Sequence, residues 1–89
     1  MNIRYTTQFK KDYKKLKKQN KDLDKLRVVI KELTSDKKVD PKYRDHPLSG
    51  NWSDHRDCHI EPDWLLIYRT ADKDLILERT GSHSELFNK

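Results

Sequence analysis

Histidine is confined to the second half of this 89-residue chain. Three of the four histidines stand in short segments that border apolar runs. These are His46-Pro47-Leu48-Ser49-Gly50, His59-Ile60-Glu61-Pro62-Asp63-Trp64 and Gly81-Ser82-His83-Ser84-Glu85-Leu86-Phe87. An imidazole with an unperturbed pKa of about 6.5 gives and takes protons near neutral pH. A histidine with a carboxylate nearby, as His59 with Asp63, can act as base and orienter or as acid and base. Such groups on a small basic protein point to acid–base chemistry on a polyanion, and RNA is the most obvious one.

The charge supports a polyanionic or acidic partner. Residues 1–44 hold 15 Lys or Arg against 6 Asp or Glu, and residues 45–89 hold 5 against 9, for a net +5 overall. The basic half suits a phosphate backbone or an acidic protein, and a solvated lysine-rich helix surface suits it equally. The pairs Lys10-Lys11, Lys14-Lys15 and Lys17-Lys18 fall on the outside of a predicted helix. There Lys10, Lys14 and Lys17 can make sequence-independent, salt-dependent phosphate contacts. Cys58 is the single cysteine, which excludes an internal disulfide and a cysteine-based zinc site. No run approaches the ~20 apolar residues of a membrane span. The start, Met1-Asn2-Ile3-Arg4-Tyr5, has no apolar stretch of the kind a secretory leader carries. A cytoplasmic protein with no membrane association is expected.

Eighty-nine residues suffice for one domain, 1–89, in which nearly every apolar run is needed for the core. Ile3 and Tyr5 alternate with polar residues as in a strand. Thr6 and Thr7 offer an N-cap. Phe9, Tyr13 and Leu16 follow at helical spacing, and Asn20 can end that helix. A second helix runs from about Asp22 to Leu33, with Leu23, Leu26, Ile30 and Leu33 on one stripe, so the two form an antiparallel hairpin. Thr34 to Asp45 reads as a loop. Beyond the Pro47–Asn51 turn the period becomes that of strands. Asp54–Ile60 places His55, Asp57 and His59 on one face and Arg56, Cys58 and Ile60 on the other. Trp64–Tyr68 is apolar on both parities, a central strand covered on both faces. Ala71–Asp74 is a hairpin loop, and Leu75–Thr80 is the last strand, stopped by Gly81. The fold class is α+β: a strand, a helical hairpin, then an antiparallel meander, about four strands in all. The helices cover one sheet face and leave the other free for a site.

Each histidine segment taken alone has an ordinary structural explanation. Pro62 fixes a turn that places His59 and Asp63 at facing strand ends, but Asp63 bonding its own backbone explains that turn better. Gly81 lets His83 swing over the sheet edge. Phe87 then either plugs the core or offers a ring for base stacking, worth about 1–3 kcal/mol per base, and a frayed tail is the alternative. His46, held extended by Pro47, faces solvent or substrate. Trp52 is expected to pack, and His55 with Asp57 to be a solvated pair.

Together the segments are specific. The blocks Asp45–Trp52, Arg56–Tyr68 and Glu78–Phe87 resemble the YafQ branch of the RelE/ParE superfamily of bacterial toxins. The match is close over the last half, and the helical half agrees only in pattern. The resemblance implies a type II toxin–antitoxin toxin that cleaves mRNA endonucleolytically, usually on the ribosome, and so inhibits translation. Its implied partners are a cognate antitoxin, mRNA and ribosomal RNA, with the toxin alone a monomer. It carries over His46, His59, Asp63 and His83 as catalytic residues, Phe87 as close to substrate, and Arg79 as a basic position used at the phosphate. No metal or other cofactor is implied.

The chemistry agrees with the resemblance. RNA cleaves itself when its 2′-OH attacks the adjacent phosphorus. That requires a base, a cation to steady the phosphorane and an acid at the 5′ oxygen. His83 is assigned as acid, Asp63 or His46 as base, and His59 as base or charge stabiliser. Three other readings compete. A non-nuclease toxin of the ParE type would lack this histidine set. A metal-dependent hydrolase using His46, His59, Asp63 and His83 as ligands would have suitable residue types, but no compact His-x-x-x-His spacing is present. A module that binds RNA or antitoxin without turnover is the third.

Overall fold

Thr6 opens the first helix as its side chain predicts. Its Oγ1 accepts the Phe9 N–H at 3.0 Å while its hydroxyl donates to the Glu78 carbonyl at 2.8 Å, tying helix to sheet. In the computed structural model, which describes residues 1–35 and 38–87, a first strand β1 (Asn2–Tyr5) leads into α1 (Thr7–Lys18) and α2 (Leu23–Thr34). Three lysines in the last turn of α1 complement its dipole, and Asn20 ends the helix at φ 58°, a conformation asparagine tolerates. Among its described residues the expected loop contains a single 3₁₀ turn at Pro41–Tyr43. Its positions 36 and 37 lie outside the described residues.

Among the described residues the sheet has five strands rather than about four. His46 and Pro47 form a short β2 pairing with β3 (Arg56–Glu61), followed by β4 (Trp64–Ala71) and β5 (Asp74–Gly81), in the order β1-β5-β4-β3-β2. The extra strand arises because the residue before a proline is held extended, and register then sets His46 opposite Asp57. β1 runs parallel to β5, and all other pairs are antiparallel. β3 begins at Arg56 rather than Asp54, because Asp54 turns the chain at φ 68°. The β4–β5 connection is tighter than expected, since Asp72 takes up a positive φ and both strands run to the turn.

The helical hairpin packs on one sheet face. There Phe9, Leu16, Leu26 and Val29 bury against Cys58, Leu66, Leu75 and Leu77, each fully buried leucine contributing about 2–3 kcal/mol. β4 is buried on both faces, as its unbroken apolar run predicts. The opposite face is partly occupied. A short α3 (His83–Phe87) lays Leu86 on Leu65 and Ile67, with Leu48, Trp52 and Phe87 around them. Only one end of that face is left to the histidines. Among the described residues no helix is long and apolar enough to cross a membrane.

One carboxylate lies on the apolar stripe of α1. Asp12 accepts Arg79 Nε and Nη2 at 3.0 Å each and the Thr80 N–H at 3.1 Å, clamping α1 to β5. Thr80 continues inward, its hydroxyl accepting Trp64 Nε1 and donating to the Leu65 carbonyl.

Candidate active site

Strand register and a helix cap bring the three scattered histidines together. His46 on β2 stacks on His59 of β3, ring centroids 5.8 Å apart at 21°. His59 meets His83 at 5.6 Å, and His83 meets Phe87 at 6.4 Å. Three imidazoles and a phenyl ring thus form one ladder along the sheet end, with a carboxylate at His46 and another at His83.

At the His46 end the carboxylate is Asp57. Its Oδ1 lies 3.0 Å from His46 Nδ1, while that nitrogen stands 2.7 Å from the Arg44 carbonyl oxygen. A carbonyl only accepts, so Nδ1 carries the proton. Asp57 contradicts the expected solvated pair with His55. It is 3% exposed, and its Oδ1 has no hydrogen-bond partner among the described residues. Burial raises its pKa, with the neighbouring histidines pulling the other way. His55 packs edge-on against Trp52 and lies 3.8 Å from Glu78. The signal for Asp57 was present in the alternation that put it on the His59 face. Only the pairing with β2, unforeseen, sets His46 beside it.

His59 sits mid-ladder with Nδ1 buried and unbonded among the described residues. Burial is the main cause that lowers its pKa, Asp57 opposes it, and His46, His83 and Arg44 lower it further. Its neutral form therefore prevails near neutral pH, which suits a proton acceptor.

His83 is fixed from two sides. Asp63 Oδ1 accepts the His83 backbone N–H at 3.0 Å and stands 2.7 Å from its Nδ1. Those two bonds hold the Asp63 carboxyl below the usual carboxylate range. Nδ1 is thereby assigned the proton, leaving Nε2 for substrate. The helix carrying His83 starts with a capping box that sequence inspection missed. Ser82 N–H donates to Glu85 Oε1 at 2.9 Å, and Glu85 N–H donates to Ser82 Oγ at 3.2 Å. The Ser-x-x-Glu spacing was its signal. A side chain at Gly81, just before it, would crowd this cap, since a Cβ there would meet Glu85 Oε1 at 3.1 Å.

Glu85 gives a pH test of this support. The Lys15 ammonium, then the Ser82 N–H, hold its carboxyl down at about 2. A depressed folded pKa contributes stability that is present above the unfolded value, about 4.3, and lost as pH falls through about 2. Screening by solvent limits the contribution to about 1 kcal/mol. In urea titrations Glu85→Gln should be less stable than wild type by that amount at pH 7, with the gap closing toward pH 2. A gap that does not change with pH would refute the linkage.

Of the other predicted positions one reaches the site and the rest fall elsewhere. Phe87 is at the site, half-buried beside His83. Arg79 is committed to Asp12. Lys10 and Lys14 flank an apolar groove on the helical hairpin, with Tyr5, Phe9, Tyr13, Leu26 and Ile30. Lys17 is exposed on α1. None of the three lysines lines the histidine groove, an opening of about 600 Å³ bordered by His59, His83, Lys25, Lys42 and Arg44. Lys42 and Arg44 were not singled out from sequence, where they read as part of a charged loop.

Donor atoms of His46, Asp57 and His59 lie within 4.8 Å of one another. Two imidazoles and a carboxylate suit a transition-metal cation, and the buried, unbonded Asp57 oxygen fits that use.

Comparison with known proteins places the chain. Residues 1–88 match the family described as bacterial toxin of type II toxin–antitoxin system, YafQ. The chain is 46% identical to the mRNA interferase toxin YafQ of Escherichia coli K12, over 96% of this chain and 94% of that protein. It superposes on the toxin in the crystal structure of the E. coli DinJ–YafQ complex with TM-score 0.89 and 45% identity, covering 97% of each chain. It also superposes on a metal-bound toxin from Helicobacter pylori with TM-score 0.91 and 44% identity, covering 98% and 99%.

Proposed function

Because this chain belongs to the YafQ family of toxins of type II toxin–antitoxin systems, we propose that it is an mRNA endoribonuclease working by metal-independent acid–base catalysis at the histidine ladder. The observation that supports this most directly is the set of three imidazoles at 5.6–5.8 Å spacing with Asp57 and Asp63 at its ends. One phosphate can touch neighbouring rings at that spacing.

His59, neutral, takes the proton from the 2′-OH. The 2′ oxygen bonds to phosphorus, and the bond from phosphorus to the 5′ oxygen breaks. His83, held by Asp63, gives its Nε2 proton to that leaving oxygen. The products are a 2′,3′-cyclic phosphate and a 5′-OH end, and no redox or hydrolytic co-reactant is consumed. Asp63, held ionised by its bonds to His83, fits the role of orienter better than that of base. His46, its Nδ1 turned to the Arg44 carbonyl and Asp57, is left with Nε2 for a hydrogen bond beside the phosphorane.

The partners on this reading are mRNA on the ribosome and a cognate antitoxin, as in the E. coli complex. The surplus of cations in residues 1–44 suits ribosomal RNA and an acidic antitoxin equally well. A cation at His46, Asp57 and His59 would supply positive charge to a phosphate while taking up imidazole lone pairs that proton transfer needs. Cleavage is therefore expected to persist in EDTA and to fall on adding zinc.

The test is induced expression followed by primer extension on cellular mRNA, with end analysis of the fragments and a parallel reaction in a translation extract containing EDTA. Discrete cuts bearing 5′-OH ends are expected. Ends carrying a 5′-phosphate, loss of cutting in EDTA, or toxicity without any cuts would each overturn this mechanism.

A further inference from the structure

The histidine groove contains an arginine that meets no carboxylate among the described residues. The chain has six arginines. Arg4, Arg27, Arg56, Arg69 and Arg79 each meet a carboxylate at 2.7–3.5 Å. Arg44 has no such partner among the described residues, and it borders the groove that also exposes His59 and His83. Its neighbour Lys42 lies over the Tyr43 ring at 5.1 Å and meets no carboxylate among the described residues, whereas Lys25 across the groove is held by Glu61 at 2.8 Å.

The backbone at Arg44 is unusual as well. It takes the left-handed conformation, φ 49° and ψ 44°, and caps the 3₁₀ turn through its N–H to the Pro41 carbonyl. A non-glycine side chain pays energy to sit there. Glycine would serve a purely structural turn better. The same residue's carbonyl fixes His46, so the turn that sets an imidazole also presents a guanidinium.

The site needs such a group. Carboxyl groups stand at both ends of the ladder, burial disfavours charge on the middle ring, His59, and a phosphorane carries more negative charge than the phosphate it forms from. A guanidinium binds phosphate oxygens in a bidentate fork and remains charged at any working pH. We propose that Arg44, assisted by Lys42, grips the substrate phosphate at the histidine site, in place of Arg79, which Asp12 occupies. The assignment rests on the RNA-cleaving reading for its substrate but is tested by binding alone.

The probe is a mixed-sequence single-stranded RNA oligonucleotide, fully 2′-O-methylated so that it cannot be cut, titrated with the purified protein over a range of KCl concentrations. Arg44→Gly is expected to bind about tenfold more weakly, with a log–log salt slope smaller by about 0.7, while melting no lower than wild type. Arg44→Lys should recover the slope but not the full affinity. Lys18→Ala, an exposed lysine on α1, measures the effect of net charge alone. Wild-type affinity and slope in Arg44→Gly, a loss no greater than that of Lys18→Ala, or no binding by the wild type would each overturn the proposal. Cleavage in a translation extract separates the two readings. If the wild type binds the probe but cuts no mRNA, the nuclease reading fails and the Arg44 contact stands. If the wild type cuts and Arg44→Gly cuts at the same rate, the Arg44 assignment alone fails.

Discussion

His83→Ala is expected to lower the rate of mRNA cleavage by about 10²–10⁴, the range for loss of a positioned general acid, and to abolish growth inhibition on induction. The side chain is exposed, 46%, and its burial does not hold the core together, so the variant should melt within a degree or two of wild type. The cause is chemical. The 5′ oxygen leaves as an alkoxide unless a proton reaches it, and no other imidazole is fixed by Asp63 with its outer nitrogen free. Asp63→Ala should cost less, because the His83 imidazole remains, though poorly oriented. The double variant should be no slower than His83→Ala, since Asp63 acts through His83. Single-turnover cleavage of a reporter mRNA in a translation extract measures all three. A His83→Ala protein that cuts at half the wild-type rate would remove His83 from the mechanism, and additive losses would show Asp63 acting independently.

The second large effect concerns stability. Asp12→Ala should destabilise the fold by about 3–5 kcal/mol, the cost of leaving one partner of a buried ion pair behind. Domains of this size are stable by only about 5–15 kcal/mol, so much of the margin would go, and the melting temperature should fall by roughly 15 °C or more. Asp12 accepts from Arg79 twice and from the Thr80 backbone, and Thr80 in turn holds Trp64 and Leu65. Removing the carboxylate strands a guanidinium and a backbone N–H in the seam between α1 and β5. Asp12→Ala combined with Arg79→Ala should be no worse than Asp12→Ala alone, because the stranded charge goes too. Urea denaturation followed by circular dichroism gives the numbers, and a loss under 1 kcal/mol would show the clamp to be dispensable. The same clamp changes how Arg79 variants are read. At a temperature where both variants are folded, Arg79→Ala should cut mRNA far better than Arg44→Gly.

The legible part of the fold was whatever periodicity encodes. The Phe9, Tyr13, Leu16 spacing, the doubly apolar Trp64–Tyr68 run and the Thr6 cap each specify a local conformation through short-range sterics and burial, and each is found in the structure. The family resemblance supplied His46, His59, Asp63 and His83 as one set, and the structure brings these four residues together. What stayed hidden depends on partners far along the chain. Asp12 stands on an apolar stripe where a lone acid is a warning sign, yet its partner is 67 residues away. Asp57 shares a face with His59 in any strand reading, but its place beside His46 depends on β2, a two-residue strand that no periodicity can announce.

The sequence by itself thus determined which residue types are available for acid–base chemistry and which local elements carry them. Alternation, capping and apolar spacing act within a few residues. Only the tertiary structure decided the charges. It paired Arg79 with Asp12, buried Asp57 beside His46, lowered the pKa of His59 by burial and, among the described residues, left Arg44 without a carboxylate partner at the groove. The reason is physical: a side chain's protonation and pairing are set by burial and by charges within a few ångströms, and in this fold those neighbours come from β2, β3, β5 and the 3₁₀ turn, which only sheet register brings together.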